Sequence, residues 1–76
     1  MPNDYKQLLI KAVQVLLFDG AMPLISFAEC IEKPLHEANN IAYRLKEKGV
    51  IQIGYWNKLT PVEGKIESYY NELIKS

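Results

Sequence analysis

Between Lys33 and Gly49 the chain reads KPLHEANNIAYRLKEKG, and the residues in it that could do chemistry are His36, Asn39, Asn40, Tyr43 and Arg44. Imidazole, carboxamide, phenol and guanidinium groups all make directed hydrogen bonds, several of them both donating and accepting. Catalysis needs more than this. His36 is the chain's one histidine and has no nucleophile paired with it in the sequence, and there is neither a phosphate-cradling glycine loop nor a set of metal ligands. Cys30 is the one cysteine, which excludes an internal disulfide and a cysteine-based zinc site. It reads as a small semi-buried side chain. The chemistry on offer is therefore contact with a partner; no enzyme activity, cofactor or metal is expected.

These groups need an element to position them. Leu35, Ala38, Ile41, Ala42 and Leu45 recur at helical spacing, which predicts a helix over 35–48, ended by Gly49 after the cations Lys46 and Lys48. With that row facing inward, the opposite side carries His36, Asn40, Tyr43 and Glu47, flanked by Asn39, Glu37 and Arg44. An ordinary solvated face would be lysine and glutamate. Asparagine is a poor helix former, so the adjacent pair Asn39-Asn40 costs helix stability and argues for a use outside the fold. The bland alternatives are an idle surface histidine at His36 and a solvated cationic edge at Arg44, Lys46 and Lys48.

The other elements follow from the same patterns. Asp4 to Phe18 is expected to be helical, with a cap at Asn3 or Asp4 and a stripe of Tyr5, Leu9, Ala12, Val13 and Leu16. Leu8, Ile10, Val15 and Leu17 widen the stripe, so this helix should touch more than one neighbour. Asp19-Gly20 ends it. Ser26 three residues before Glu29 has capping-box spacing, which predicts a short helix over 26–32, broken by Pro34. After Gly49 the β-branched and aromatic residues Val50-Ile51-Gln52-Ile53 and Tyr55-Trp56 predict a strand, with a tight hairpin through Gly54 or Asn57-Lys58. Thr60, Pro61 and Glu63 read as the start of a last helix whose stripe is Val62, Ile66, Tyr69, Tyr70, Leu73 and Ile74. That stripe must be covered by the first helix or by another chain.

A chain of 76 residues forms one small domain, 1–76, removing roughly 60–65% of its extended surface from water. Its 49% hydrophobic and 24% charged composition excludes disorder. The longest apolar run, Leu8 to Phe18, is interrupted by Lys11 and Gln14 and is too short to cross a bilayer; MPNDYKQ is no signal peptide, so a cytoplasmic protein with no membrane contact is expected. Formal net charge is zero, yet it is unevenly spread: residues 33–58 hold Lys33, Arg44, Lys46, Lys48 and Lys58 against Glu37 and Glu47.

The order helix, short helix, turn, helix, strand, helix is that of a winged helix-turn-helix domain, and the chain resembles that family by residue as well. Phe27-Ala28-Glu29-Cys30-Ile31 and Leu45-Lys46-Glu47-Lys48-Gly49-Val50-Ile51 are similar to two motifs of small prokaryotic regulators of the MarR and PadR kind, at their usual separation. Leu59-Thr60-Pro61-Val62-Glu63-Gly64-Lys65 resembles the segment that leaves the wing, with one extra residue before the glycine. Residues 25–65 carry the resemblance and the flanking helices match by type. The chain departs from the pattern at Lys33-Pro34, where relatives place a serine or threonine, and in its wing, where only GYWNK lies between Ile53 and Leu59 and Tyr55 and Trp56 are expected to pack the hairpin against the core.

The resemblance implies a mostly α fold with a small β-hairpin, and a recognition helix over 35–48 lying in the major groove of double-stranded DNA. It implies that His36, Asn39, Asn40, Tyr43 and Arg44 reach base edges and phosphates, with Lys33, Lys46 and Lys58 on the backbone. It also implies a homodimer through the first and last helices, using Tyr69, Tyr70, Leu73 and Ile74, and a transcriptional regulator that requires no small molecule. The competing expectation is a winged-helix module that binds protein and no nucleic acid. Zero net charge, the short wing, and Glu37 and Glu47 beside the presumed groove face point that way.

Overall fold

In a computed structural model describing residues 2–75, the first amphipathic stretch forms helix α1, Pro2–Asp19. It buries Leu9, Ala12, Val13 and Leu16, and its wider row of Leu8, Val15 and Leu17 packs half-buried on the same core. The helix touches α2 (Leu24–Ile31), α4 (Lys65–Lys75) and β3 (Lys58–Pro61), as a broad apolar stripe requires. Gly20 ends α1 at φ +80°, its N–H donating to the Leu16 carbonyl at 3.0 Å. The cap expected at Asn3 or Asp4 falls inside α1, which already runs from Pro2. The Asn3 side chain lies outside the described residues.

A two-residue strand, β1 (Met22–Pro23), leads straight into α2. Pro23 takes the N-cap position at φ −70°, ψ 157°, with no side-chain cap. The expected start at Ser26 is thus corrected: Ser26 lies within the helix, because an extended proline has already fixed the chain's entry two residues earlier. Leu24, Phe27, Ala28 and Ile31 are buried. At the other end Glu32 turns left-handed at φ 57°. Its N–H donates to the Glu29 carbonyl at 3.1 Å while that of Lys33 donates to Ala28, also at 3.1 Å, which is a Schellman closure with a non-glycine residue in the strained position.

Pro34 then stands before α3, Leu35–Glu47. Ala38, Ile41, Ala42 and Leu45 are buried as the spacing requires, but Leu35 is 52% exposed. Its angular position is right; being the first residue of the helix, it overhangs the neighbours that cover the next turn. Gly49 at φ +79° closes α3 in the same manner as Glu32 closes α2: its N–H meets the Lys46 carbonyl at 2.9 Å, and Val50 N–H meets Leu45 at 3.2 Å. Val50 and Leu45 are both buried, the apolar contact that accompanies this motif.

Strand β2 (Ile51–Ile53) pairs antiparallel with β3 in the register Ile51↔Pro61, Gln52↔Thr60 and Ile53↔Leu59. Strand β1 adds to the other edge of β3 through Met22↔Leu59 and Pro23↔Lys58, giving the order β1-β3-β2. Pro61 is tolerated in this middle strand because it stands at the end that β1 does not reach. Thr60 and Pro61 are therefore strand residues and not the start of the last helix. Helix α4 opens after Gly64, whose N–H donates to Glu67 Oε1 at 2.6 Å, so Glu67 caps where Glu63 was expected to.

Among the described residues the fold is mostly α, four α-helices with one small three-stranded antiparallel sheet. The core between them includes Phe27, Leu16, Ile31, Leu45, Ile51, Leu59 and Ile66, each contributing about 1.5–3 kcal/mol by burial. Among the described residues no helix is long and apolar enough to cross a membrane.

Candidate functional site

Burial of Ala38, Ile41, Ala42 and Leu45 fixes the rotation of α3, and that rotation decides which side chains are presented. His36, Asn40, Tyr43 and Glu47 are exposed, and Asn39 and Glu37 are half-buried on opposite flanks. The outer row is thus free of the protein's own core. Lys46 Nζ lies 5.6 Å from the centre of the Tyr43 ring, a cation–π contact one turn apart that keeps the phenol beside a positive charge.

Arg44 is placed differently. Its guanidinium lies over the Tyr5 ring of α1, 5.4 Å from the centroid, and so points along the flank of α3 toward the α1–α4 side. Its charge also reaches Tyr69 of α4. Burial raises the Tyr69 phenol above its ordinary pKa, nearby Arg44 opposes that rise, and Tyr5 and Glu72 add to it. From the flank of the outer row Arg44 ties α3 to its neighbours. The three lysines named with that row, Lys33, Lys46 and Lys58, are all exposed, on the turn before α3, near its end and on β3 respectively.

The turn that aims α3 is braced from α1 by Lys11 Nζ, 3.3 Å from Glu32 Oε2. Both side chains are solvated, so the pair adds little energy; its consequence is that α1 holds the residue whose left-handed backbone redirects the chain into α3.

Helix α4 packs on α1, with Ile66 buried and Tyr69, Tyr70 and Leu73 half-buried against the core. Of the residues expected at a subunit contact, Ile74 is the one left largely outside, 52% exposed. Phe18 at the end of α1 and Ile25 on α2 are more exposed still.

The sequence reading missed what happens at the hairpin. Tyr55 and Trp56, expected in a strand, form with Asn57 a tight kinked turn between Gly54 and Lys58, closed by Gly54 N–H donating to the Lys58 carbonyl at 2.9 Å. Tyr55 is 92% and Trp56 93% exposed, the most exposed large hydrophobic residues described. The expectation that these rings pack the hairpin against the core is thus corrected: the residues GYWNK between paired Ile53 and Leu59 leave a connection too short to fold two rings back onto it, a signal present in the count.

No protein-family model matches the chain, and neither a curated protein nor a solved structure matches it.

Proposed function

We propose that the protein is a small sequence-specific double-stranded-DNA-binding protein of the winged helix-turn-helix type, acting as a cytoplasmic transcriptional regulator with α3 in the major groove. The observation that carries this reading is the exposed row His36, Asn40 and Tyr43 on a helix whose other side is buried. Asparagine pairs bidentately with adenine, and tyrosine bonds a phosphate or packs on a thymine methyl. Lys33, Lys46 and Lys58 set register on phosphates, Asn39 adds a contact from the flank, and Arg44 holds α3 in place from the side. The element order supports the reading too: α2, a tight turn and α3 followed by the β2–β3 hairpin and α4.

A homodimer formed through α1 and α4 presents two copies of α3 to successive major grooves about 34 Å apart. Exposed Ile74 and the half-buried Tyr69, Tyr70 and Leu73 supply its contact. Bound at an operator, such a dimer acts by blocking or recruiting polymerase, and neither a cofactor nor a small molecule is required. No catalytic role is proposed.

Titration of labelled genomic and random duplexes at low salt tests the reading. Dissociation constants tighter than about 100 μM are expected, and binding no tighter than that would count against it. A second reading, a module that binds protein, is favoured by zero net charge and by Glu37 and Glu47 on α3. It predicts that Asn40→Ala and Tyr43→Ala alter capture of a protein partner while DNA affinity stays the same.

A further inference from the structure

We propose that the β2–β3 turn is a stacking wedge: Tyr55 and Trp56 insert against exposed faces of nucleobases at an opened or kinked step of the DNA. The proposal rests on the DNA-binding reading and goes beyond the groove contacts of α3. Three observations carry it.

The first is exposure. The two rings stand almost wholly in solvent while Leu59 and Ile51, on the strands behind them, are buried. The hairpin's inward side chains are thus already satisfied without them. The second is backbone conformation. Trp56 sits at φ 61°, ψ 29° and Asn57 at φ 54°, consecutive left-handed residues of which neither is glycine. A bulky side chain in that region is disfavoured, and turns needing it ordinarily take glycine or asparagine. Stability would be served by glycine at 56; the tip keeps an indole there, between paired strands.

The third observation selects the partner. From Lys48 to Val62 the chain has no carboxylate, and Lys48 and Lys58 give that segment positive charge in a protein whose formal net charge is zero. Exposed Gln52 and Thr60, cross-strand partners behind the tip, are uncharged hydrogen-bonding groups. Aromatic rings beside Lys58 and neutral polar groups, on a hairpin without carboxylates, fit a polyanion that also offers π faces, which is nucleic acid. Apolar wedges inserted between base steps unstack and kink a duplex, and stacking tolerates any base.

Trp56 is the chain's one tryptophan, so its emission reports on the tip directly. The experiment titrates the full chain with three fluorescein-labelled DNA probes of equal length, a perfect duplex, a duplex with two unpaired bases and a single strand. Anisotropy of the label reads binding and Trp56 emission reads stacking. Quenching on binding is expected, deepest for the duplex with unpaired bases; a single strand that quenches as deeply without α3-dependent affinity would overturn the duplex wedge. Tyr55→Ala and Trp56→Gly are each expected to weaken binding about 5- to 150-fold, the usual worth of one stacked ring, with Trp56→Phe restoring most of the loss. Trp56→Gly suits the positive φ, so its thermal midpoint should not fall, which separates lost stacking from lost fold.

Binding with unchanged Trp56 emission and unchanged affinity in the variants would overturn the wedge and leave DNA binding by α3 standing. No binding of any probe by the wild-type chain would overturn both. Phospholipid vesicles with one quarter anionic lipid form the remaining arm: a blue shift of Trp56 there, with none of the DNA probes quenching it, assigns the tip to a membrane surface and rejects the wedge.

Discussion

Asn40→Ala separates recognition from folding because the two effects have opposite sign. Asn40 is exposed in mid-helix on the side of α3 away from Ala38, Ile41, Ala42 and Leu45. Replacing asparagine by alanine there improves helix propensity by about 0.6 kcal/mol. In a domain of this size that raises the melting midpoint by about 2–5 °C. If Asn40 reads a base, the same change removes a bidentate pair worth about 1–3 kcal/mol of discrimination, a loss of about 5- to 150-fold in affinity for the preferred site. Affinity for random duplex should hardly change, since phosphate contacts dominate it. Circular dichroism melts and anisotropy titrations on the same preparation read both quantities. A lower midpoint would mean that the side chain supports the fold; a higher midpoint with specific affinity unchanged within twofold would mean that Asn40 is mere surface. Either result refutes the reasoning.

Leu45→Ala, at a side chain with no exposure, should cost about 2–5 kcal/mol by urea unfolding, a large share of the roughly 4–11 kcal/mol expected for a chain this long. Glu32→Gly should raise stability by about 0.5–1 kcal/mol in the same assay, because relief of the left-handed backbone outweighs loss of the solvated pair with Lys11. Tyr69 has a folded-state pKa raised mainly by burial, so the folded chain holds its proton more tightly than the unfolded one. The resulting stability is full below the ordinary phenol value and declines as pH rises through and beyond it, and Tyr69→Phe should flatten that alkaline decline in melts taken above about pH 10. Phosphate contacts by Lys33, Lys46 and Lys58 from two subunits predict a slope of log affinity against log salt of about −5, and Lys58→Gln should reduce its magnitude by about 1 per subunit engaged.

The helices were legible where their apolar rows were long. For α3 the expected bounds 35–48 compare with Leu35–Glu47, and four of five predicted core residues are buried. Periodicity gives an angle around the axis but no information on what covers each turn, which is why Leu35 was misplaced and why Arg44, drawn on the edge of the outer face, turns to Tyr5. Both helix starts read from capping-box spacing failed for one reason. Ser26 and Thr60 have the right partners three residues on, but sheet pairing sets where each helix starts: β1 ends at Pro23 and α2 begins at once, before Ser26, while Thr60 is itself paired in β3. A two-residue strand such as β1 has no period to detect. The row His36, Asn40 and Tyr43 was readable because its residue types are wrong for a solvated helix; the Tyr55-Trp56 tip was legible only in the shortness of GYWNK, since the same β-prone residues suit a strand.

The central claim, that the outer face of α3 meets DNA, is tested most directly by following backbone amide signals of the isotopically labelled protein as duplex DNA is added. The account predicts the largest shifts at His36, Asn39, Asn40 and Tyr43, followed by Gly54 to Lys58, with α1 and α4 little changed apart from residues at a subunit contact. Shifts confined to α1 and α4, or none at saturating duplex, would contradict it.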